Sequence, residues 1–329
     1  MEKSKETKRT SPLVAHADDI KLAFVGKVEE DDHPYSWSAI FNGYDPGVLA
    51  ECPNAVIREY LAGEPKRNFG IVGARVTHIW CDDPEDAKRV ARVSRIPYVV
   101  SSPGDVIGHV DAVVIPTDRG NEHLERARPF IEEGIPVLID KPLTLSVNHL
   151  RQFVRWHEEG KHFLSSSCMR YAKEFMAGRD KPDKLGSLRF VTATTCRSWE
   201  RYGIHALEAV YPFLPTYGWK EITITGTEEA AVVHLLHDAH VDVVIAAMKD
   251  MDGSFGCVSL YGTKGALNMQ CCDSFFAFKA QLASFVDYLR SGQEPYSFAE
   301  TVELMKIVIA GIRSRAQGGQ RIALAEIEL

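Results

Sequence analysis

The chain has 329 residues, enough for about two domains of ordinary size. Its 45% hydrophobic, 25% charged and 9% aromatic residues exclude a disordered, collagen-like or low-complexity chain. A formal net charge of −7, with no stripe of Lys and Arg, leaves no electrostatic basis for a nucleic-acid or anionic-membrane partner and points to small molecules.

Seven cysteines, Cys52, Cys81, Cys168, Cys196, Cys257, Cys271 and Cys272, form neither a C-x-x-C pair nor a zinc spacing and read as reduced thiols. Residues 1–19 are polar and charged without an apolar signal core, which reads as a disordered tail. No run reaches the roughly 18 apolar residues of a membrane span, so the sequence places the protein in the cytoplasm.

The folded part opens at residues 21–26, a short apolar run stopped by glycine, the pattern of a buried parallel strand. Residues 73–80 read as a second strand, and Pro84 starts a helix with acids in its first turn, where the helix dipole favours them. A short strand at 98–100, a strand at 110–115, a helix at 122–133 closed by Gly134 and a strand at 135–139 follow. A long amphipathic helix carrying Leu150, Phe153, Val154 and Trp156 then leads to a last strand within 162–168. This alternation predicts βαβ units in a doubly wound parallel sheet.

Beyond it the texture changes. Residues 188–194, 221–225, 230–234, 241–246 and 256–261 read as successive, mostly antiparallel strands, with helices at 204–214, 280–290 and 299–315. His234, His237 and His240 have an H-x-x-H-x-x-H spacing, but across a strand, turn and strand their rings diverge, so no metal site is expected. Lys264-Gly265 reads as a hairpin turn.

Three local patterns resemble the glucose-fructose oxidoreductase, inositol dehydrogenase and rhizopine-catabolism family, Gfo/Idh/MocA: Trp80-Cys-Asp-Asp-Pro-Glu-Asp-Ala87 at the end of the second strand, residues 110–117 with Glu122-His123, and residues 137–144. The last contains Asp140-Lys141-Pro142, similar to the family's E-K-P element. Tyr202-Gly203-Ile204-His205, with Glu208, resembles the helix whose histidine faces the nicotinamide. The resemblance implies an α/β chain: an N-terminal Rossmann domain over 20–168 with an enlarged first crossover at 35–70, and a C-terminal α+β substrate and oligomerisation domain over 169–329 with a large, mostly antiparallel open sheet.

The implied chemistry is NAD(P)-linked oxidation of a secondary hydroxyl of a sugar, cyclitol or polyol by a homodimer or homotetramer. His205 would be the base and Lys141 the polarising or relaying group. The expected cofactor contacts are Gly26, Lys27, Asp82, Pro116, Thr117, Asp118, Asp140, Lys141 and Pro142. On the substrate side stand Arg170, Tyr171, Trp199, Arg201, Tyr202 and His205. Asp82 reads equally as acceptor of the adenosine-ribose hydroxyls, which favours NAD over NADP, or as a helix cap; Lys27, Lys88 and Arg89 could contact a 2′-phosphate. His123 reads as packing at a helix start.

The chain departs from the family at two places. Residues 26–34 keep one glycine of G-x-G-x-x-G and then carry Glu29, Glu30, Asp31 and Asp32, which repel a diphosphate unless they point away. Arg201 stands one turn before His205, where the family often has Asp, and would lower the histidine pKa if close, leaving Glu208 as the orienting acid. Two further readings stand beside the first: a family member that uses nicotinamide transiently for elimination, hydrolysis or epimerisation, or, from these departures, a binding subunit that has lost the cofactor site.

Overall fold

The computed structural model describes residues 11–179 and 182–329. Its first half is a six-stranded sheet: β1 (Ile20–Val25), β2 (Ala74–Trp80), β3 (Tyr98–Val99), β4 (Ala112–Ile115), β5 (Val137–Ile139) and β6 (Phe163–Ser165). The spatial order is β3-β2-β1-β4-β5-β6, with every pair parallel. Helices α1 (His33–Asn42), α2 (Ala55–Gly63), α3 (Pro84–Val93), α4 (His123–Glu132) and α5 (Val147–Glu158) make the connections. β4 and β5 are buried at every residue, which explains why they read as continuous apolar runs.

The enlarged first crossover contains both α1 and α2. Pro34 through Phe41 are all buried, with Tyr35 and Trp37 at 0% exposure, so α1 lacks the amphipathic stripe by which a surface helix is recognised. Of the tail expected over 1–19, residues 1–10 lie outside the described residues. Leu13 donates its N–H to the Leu289 carbonyl, and Val14 is buried.

The second half contains α6 (Lys173–Arg179), α7 (Pro182–Leu185), β7 (Leu188–Cys196), α8 (Trp199–Val210), β8 (Trp219–Gly226), β9 (Ala230–His237), β10 (Val241–Met248), β11 (Cys257–Gly262), β12 (Ala266–Gln270), α9 (Ser274–Ser291), α10 (Phe298–Ala316) and β13 (Ile322–Ala323). Its seven strands run β12-β11-β7-β10-β9-β8-β13, antiparallel except for β7 beside β10. The Lys264-Gly265 turn joins β11 to β12.

Two cores hold this together. One face of the parallel sheet, with Leu22, Phe24 and Val76, packs against α1, α3 and Phe275, Leu282, Phe285 and Leu289 of α9. A helix from the second half therefore completes the first core. On the other face Val25, Val113 and Ile115 pack with α4 and α5 in a core continuous with the inner side of the seven-stranded sheet, where Val233, Leu235, Val243 and Ile245 meet α8 and α10. The carboxyl edge of the parallel strands consequently faces α8.

Candidate active site

Lys141 leaves β5 at that edge, held by the bond from the Asp140 N–H to the Ile115 carbonyl of β4. It is 1% exposed. Its Nζ lies 3.7 Å from Asp118 Oδ2, 4.0 Å from Asp140 Oδ2 and 4.5 Å from the centre of the Tyr202 ring, and no hydrogen bond among the described residues satisfies it. Burial alone would lower the Lys141 pKa, but Asp140 and Asp118 outweigh it and hold the ammonium above its ordinary range. The two carboxylates thus hold Lys141 as an ammonium, suited to polarising an oxygen.

Asp118, after β4, is gripped by Arg201 of α8 through Nε at 3.1 Å and Nη2 at 2.8 Å, and Arg201 Nη1 lies 3.3 Å from Glu30. This corrects the expectation for Arg201. It neutralises two acids, and the His205 pKa falls well below the ordinary value because of burial, Lys141 and His33. His205 is 5% exposed; its Nδ1 lies 2.6 Å from Ser167 Oγ, and its ring meets Tyr202 and Phe255 edge-on.

The orienting group is thus Ser167 rather than Glu208. Glu208 accepts from the Ser167 N–H at 3.1 Å and from Arg170. Arg170 also binds Glu300 at 2.8 Å and lies 4.4 Å over the Tyr296 ring, and the Tyr171 hydroxyl bonds Ser284 at 3.3 Å. Arg170 and Tyr171 are therefore tied to α8, α9 and α10 through Glu208, Ser284 and Glu300.

Trp199 is likewise a core residue. It is fully buried, donates to the Val308 carbonyl at 3.0 Å, and a Cβ on Gly203 or Gly311 would fall within 2.5 Å of its ring. Trp199→Ala should lower unfolding free energy by about 3–5 kcal/mol, measured by urea denaturation; a loss below about 1 kcal/mol would contradict this packing role.

The acidic loop supplies one residue that sequence reasoning missed. His33 Nδ1 lies 3.1 Å from Asp140 Oδ2 and 3.5 Å from Asp31 Oδ1, with its ring stacked on Trp37 at 4.8 Å. Against its burial, the two carboxylates raise the His33 pKa. Donor atoms of Asp31, His33 and Asp140 lie within 4.8 Å of one another, the one such group among the described residues. With the Lys141 ammonium 4.0 Å from Asp140, the imidazolium form of His33 suits this place better than a divalent cation does. His234 instead pairs with Asp242 and His237 with the Pro215 carbonyl, so that histidine series does not converge.

Three of the four loop acids are accordingly paired: Glu30 with Arg197 and Arg201, Asp31 with His33, and Asp32 with Lys27. Lys27 also pairs with Asp86. Asp83, accepting from the Glu85 N–H at 2.9 Å, caps α3, which leaves Asp82 without that duty. Asp82 accepts from the Lys27 N–H at 3.2 Å and from Arg126 at 2.9 and 3.2 Å. Pro116 and Thr117 lie buried after β4. His123 spans the gap from the Thr117 carbonyl at 2.6 Å to that of Pro142 at 2.9 Å, a packing role that fixes both loops.

The strand order reverses between β1 and β4, the place where open α/β sheets bind ligands, and the Lys141 cluster lies beside it. Residues 57–166 match the Gfo/Idh/MocA model, an oxidoreductase family with an NAD-binding Rossmann fold. No curated protein matches the chain.

Among solved structures, a probable dehydrogenase from Thermotoga maritima is 13% identical, with a TM-score of 0.73 over 94% of this chain and 100% of that one. The scyllo-inositol dehydrogenase of Lactobacillus casei with bound NAD(H) and scyllo-inositol is 13% identical, with a TM-score of 0.69 over 93% and 99%. An oxidoreductase from Agrobacterium radiobacter in complex with NAD+, L-tartaric acid and magnesium is 16% identical, with a TM-score of 0.71 over 94% and 100%. At these identities the likeness shows the fold.

The residues present fit a dinucleotide at both ends of the crevice. Gly26, at φ +107°, ends β1 in a conformation that favours glycine, and Thr117 and Arg126 lie 3.0 and 3.1 Å from where its Cβ would stand. Asp82 follows β2 with its carboxylate 43% exposed. The middle of the crevice differs from a glycine-rich loop: the His33 N–H is taken by Asp31, Pro34 has none, and the Tyr35 and Ser36 N–H groups reach the Asp32 carbonyl.

Proposed function

We propose that the protein is an NAD-linked oxidoreductase acting on a secondary hydroxyl of a sugar, cyclitol or related polyol. The observation that carries this reading is the meeting of Lys141, Tyr202 and His205 at the carboxyl edge of β5, beside the switch point of a sheet whose segment 57–166 matches an NAD-binding oxidoreductase family.

A bound nicotinamide supplies the hydride acceptor. Lys141 draws charge from the substrate oxygen, and Asp118 and Asp140 keep its ammonium protonated. In the tautomer that donates Nδ1–H to Ser167, His205 keeps a lone pair on Nε2 to take the hydroxyl proton. Tyr202 covers the ammonium and excludes water from it.

The decisive experiment is calorimetric titration of the nucleotide-stripped protein with NAD+, NADH, NADP+ and NADPH, followed by a polyol screen read as reduced-nicotinamide absorbance. Micromolar or tighter binding of NADH is expected. Binding of none of the four would sink the reading. The partly exposed Asp82 carboxylate favours NAD over NADP, and the free thiols accord with a cytoplasmic protein. No helix among the described residues is long and apolar enough to cross a membrane.

The outer face of the seven-stranded sheet is proposed to join two copies of the chain. Phe190 stacks on Tyr261 at 5.7 Å, and these and Val232 are 37–41% exposed on that face. Phe190→Glu with Val232→Glu should reduce the mass in sedimentation to that of a monomer; a wild type already monomeric at micromolar concentration would remove the proposal.

A further inference from the structure

Resting on the NAD-linked reading, we propose that Arg126 is the cation that holds the diphosphate of the dinucleotide, in place of the amides that a glycine-rich loop would supply. A diphosphate over the first βα turn is ordinarily met by free backbone N–H groups at a helix N-terminus. Here every such group of the first turn of α1 is taken by the loop itself or is absent at Pro34. Lys27, the loop's own cation, is held between Asp32 and Asp86 at 3.4 Å each, and its side chain is 9% exposed against 17% for Arg126.

Arg126 enters from α4 and crosses the carboxyl ends of β4 and β1 to reach Asp82 after β2. Its guanidinium has five N–H groups. Nε donates to Glu122 at 3.0 Å, Nη2 donates to Glu122 and Asp82 at 2.9 Å each, and Nη1 donates to Asp82 at 3.2 Å. Those four bonds leave one N–H, on Nη1. That same nitrogen lies 3.1 Å from where a Cβ of Gly26 would stand, over the one glycine the loop retains. The unused donor therefore lies beside the first βα turn. The side chain is 17% exposed, so its charge is screened less than a surface arginine's, and the one free N–H can donate to a phosphate oxygen. The pairing of Glu30, Asp31 and Asp32 with cations of their own removes much of the repulsion that a row of acids would give.

The test is titration of the full-length protein with NADH at low and moderate salt, comparing wild type with Arg126→Gln, Arg126→Lys and, should the Gln variant not fold, Arg126→Met, which keeps the apolar stem. Thermal melting and circular dichroism report the fold. Loss of the guanidinium should weaken NADH binding at least about tenfold and flatten its decline with salt, while Arg126→Lys keeps most of both. Unchanged or tighter NADH binding in the Gln or Met variant overturns the proposal and leaves the oxidoreductase reading standing. A wild type that binds no NADH overturns both.

Discussion

Replacing Lys141 with methionine should lower kcat/KM by about 10²–10³-fold, the cost of removing one preorganised group from a developing oxyanion, while leaving the fold and NADH affinity nearly intact. The fold should survive because neither carboxylate facing Lys141 loses its last cation: Asp118 keeps Arg201 at 2.8 Å and Asp140 keeps His33 at 3.1 Å. Methionine fills the apolar part of the lysine stem under Tyr202, and it removes an ammonium that now makes no hydrogen bond. Steady-state kinetics on the best substrate, with calorimetric NADH binding as control, separates the outcomes. A loss in NADH affinity equal to the loss in kcat/KM would assign Lys141 to cofactor binding alone, and full activity would remove it from the chemistry.

The parallel sheet was legible because burial on both faces writes a strand as an uninterrupted apolar run, as in Ala112–Ile115, and the turn chemistry after it is sharp. Residues 137–142, an apolar run ending in Asp-Lys-Pro, put Lys141 at the ligand edge of the sheet on sequence pattern alone. Elements without such a signal escaped. α1 is buried all round and shows no 3.6-residue stripe; β12 is an edge strand whose residues alternate only between exposed and half-buried, and β13 has two residues.

The site was less legible than the fold for the same reason that makes it a site. Arg126, Arg201, His33 and Ser167 take their roles from partners 44, 83, 107 and 38 residues away, and no local pattern encodes which acid a given arginine will meet. Trp199 and Arg170 show the converse error. An aromatic residue before a helix and an arginine after a strand suit a substrate pocket or a core equally, and here Val308 and Glu208 settle them inside.

His205→Asn should cost about 10²–10⁴-fold in kcat, the span of one positioned general base, with NADH affinity unchanged. The pH profile distinguishes a base from a packing residue. Burial, Lys141 and His33 hold the His205 pKa well below the ordinary histidine value of about 6.5, so the ring is neutral and competent throughout the neutral range. The low-pH limb of kcat/KM due to His205 should therefore lie below the ordinary histidine range, and the Asn variant should lack it.

Stability follows the same sign. The unfolded chain binds a proton at His205 below about pH 6.5 that the native state refuses, so native stability declines as pH falls through that value, and the Asn variant escapes this part of the decline. Lys141→Met removes one of the two charges that oppose protonation, and the His205 ring resonances should then titrate at higher pH in NMR. A His205 that titrates at its ordinary value in wild type, or that is indifferent to Lys141→Met, would show that the two groups do not share one site.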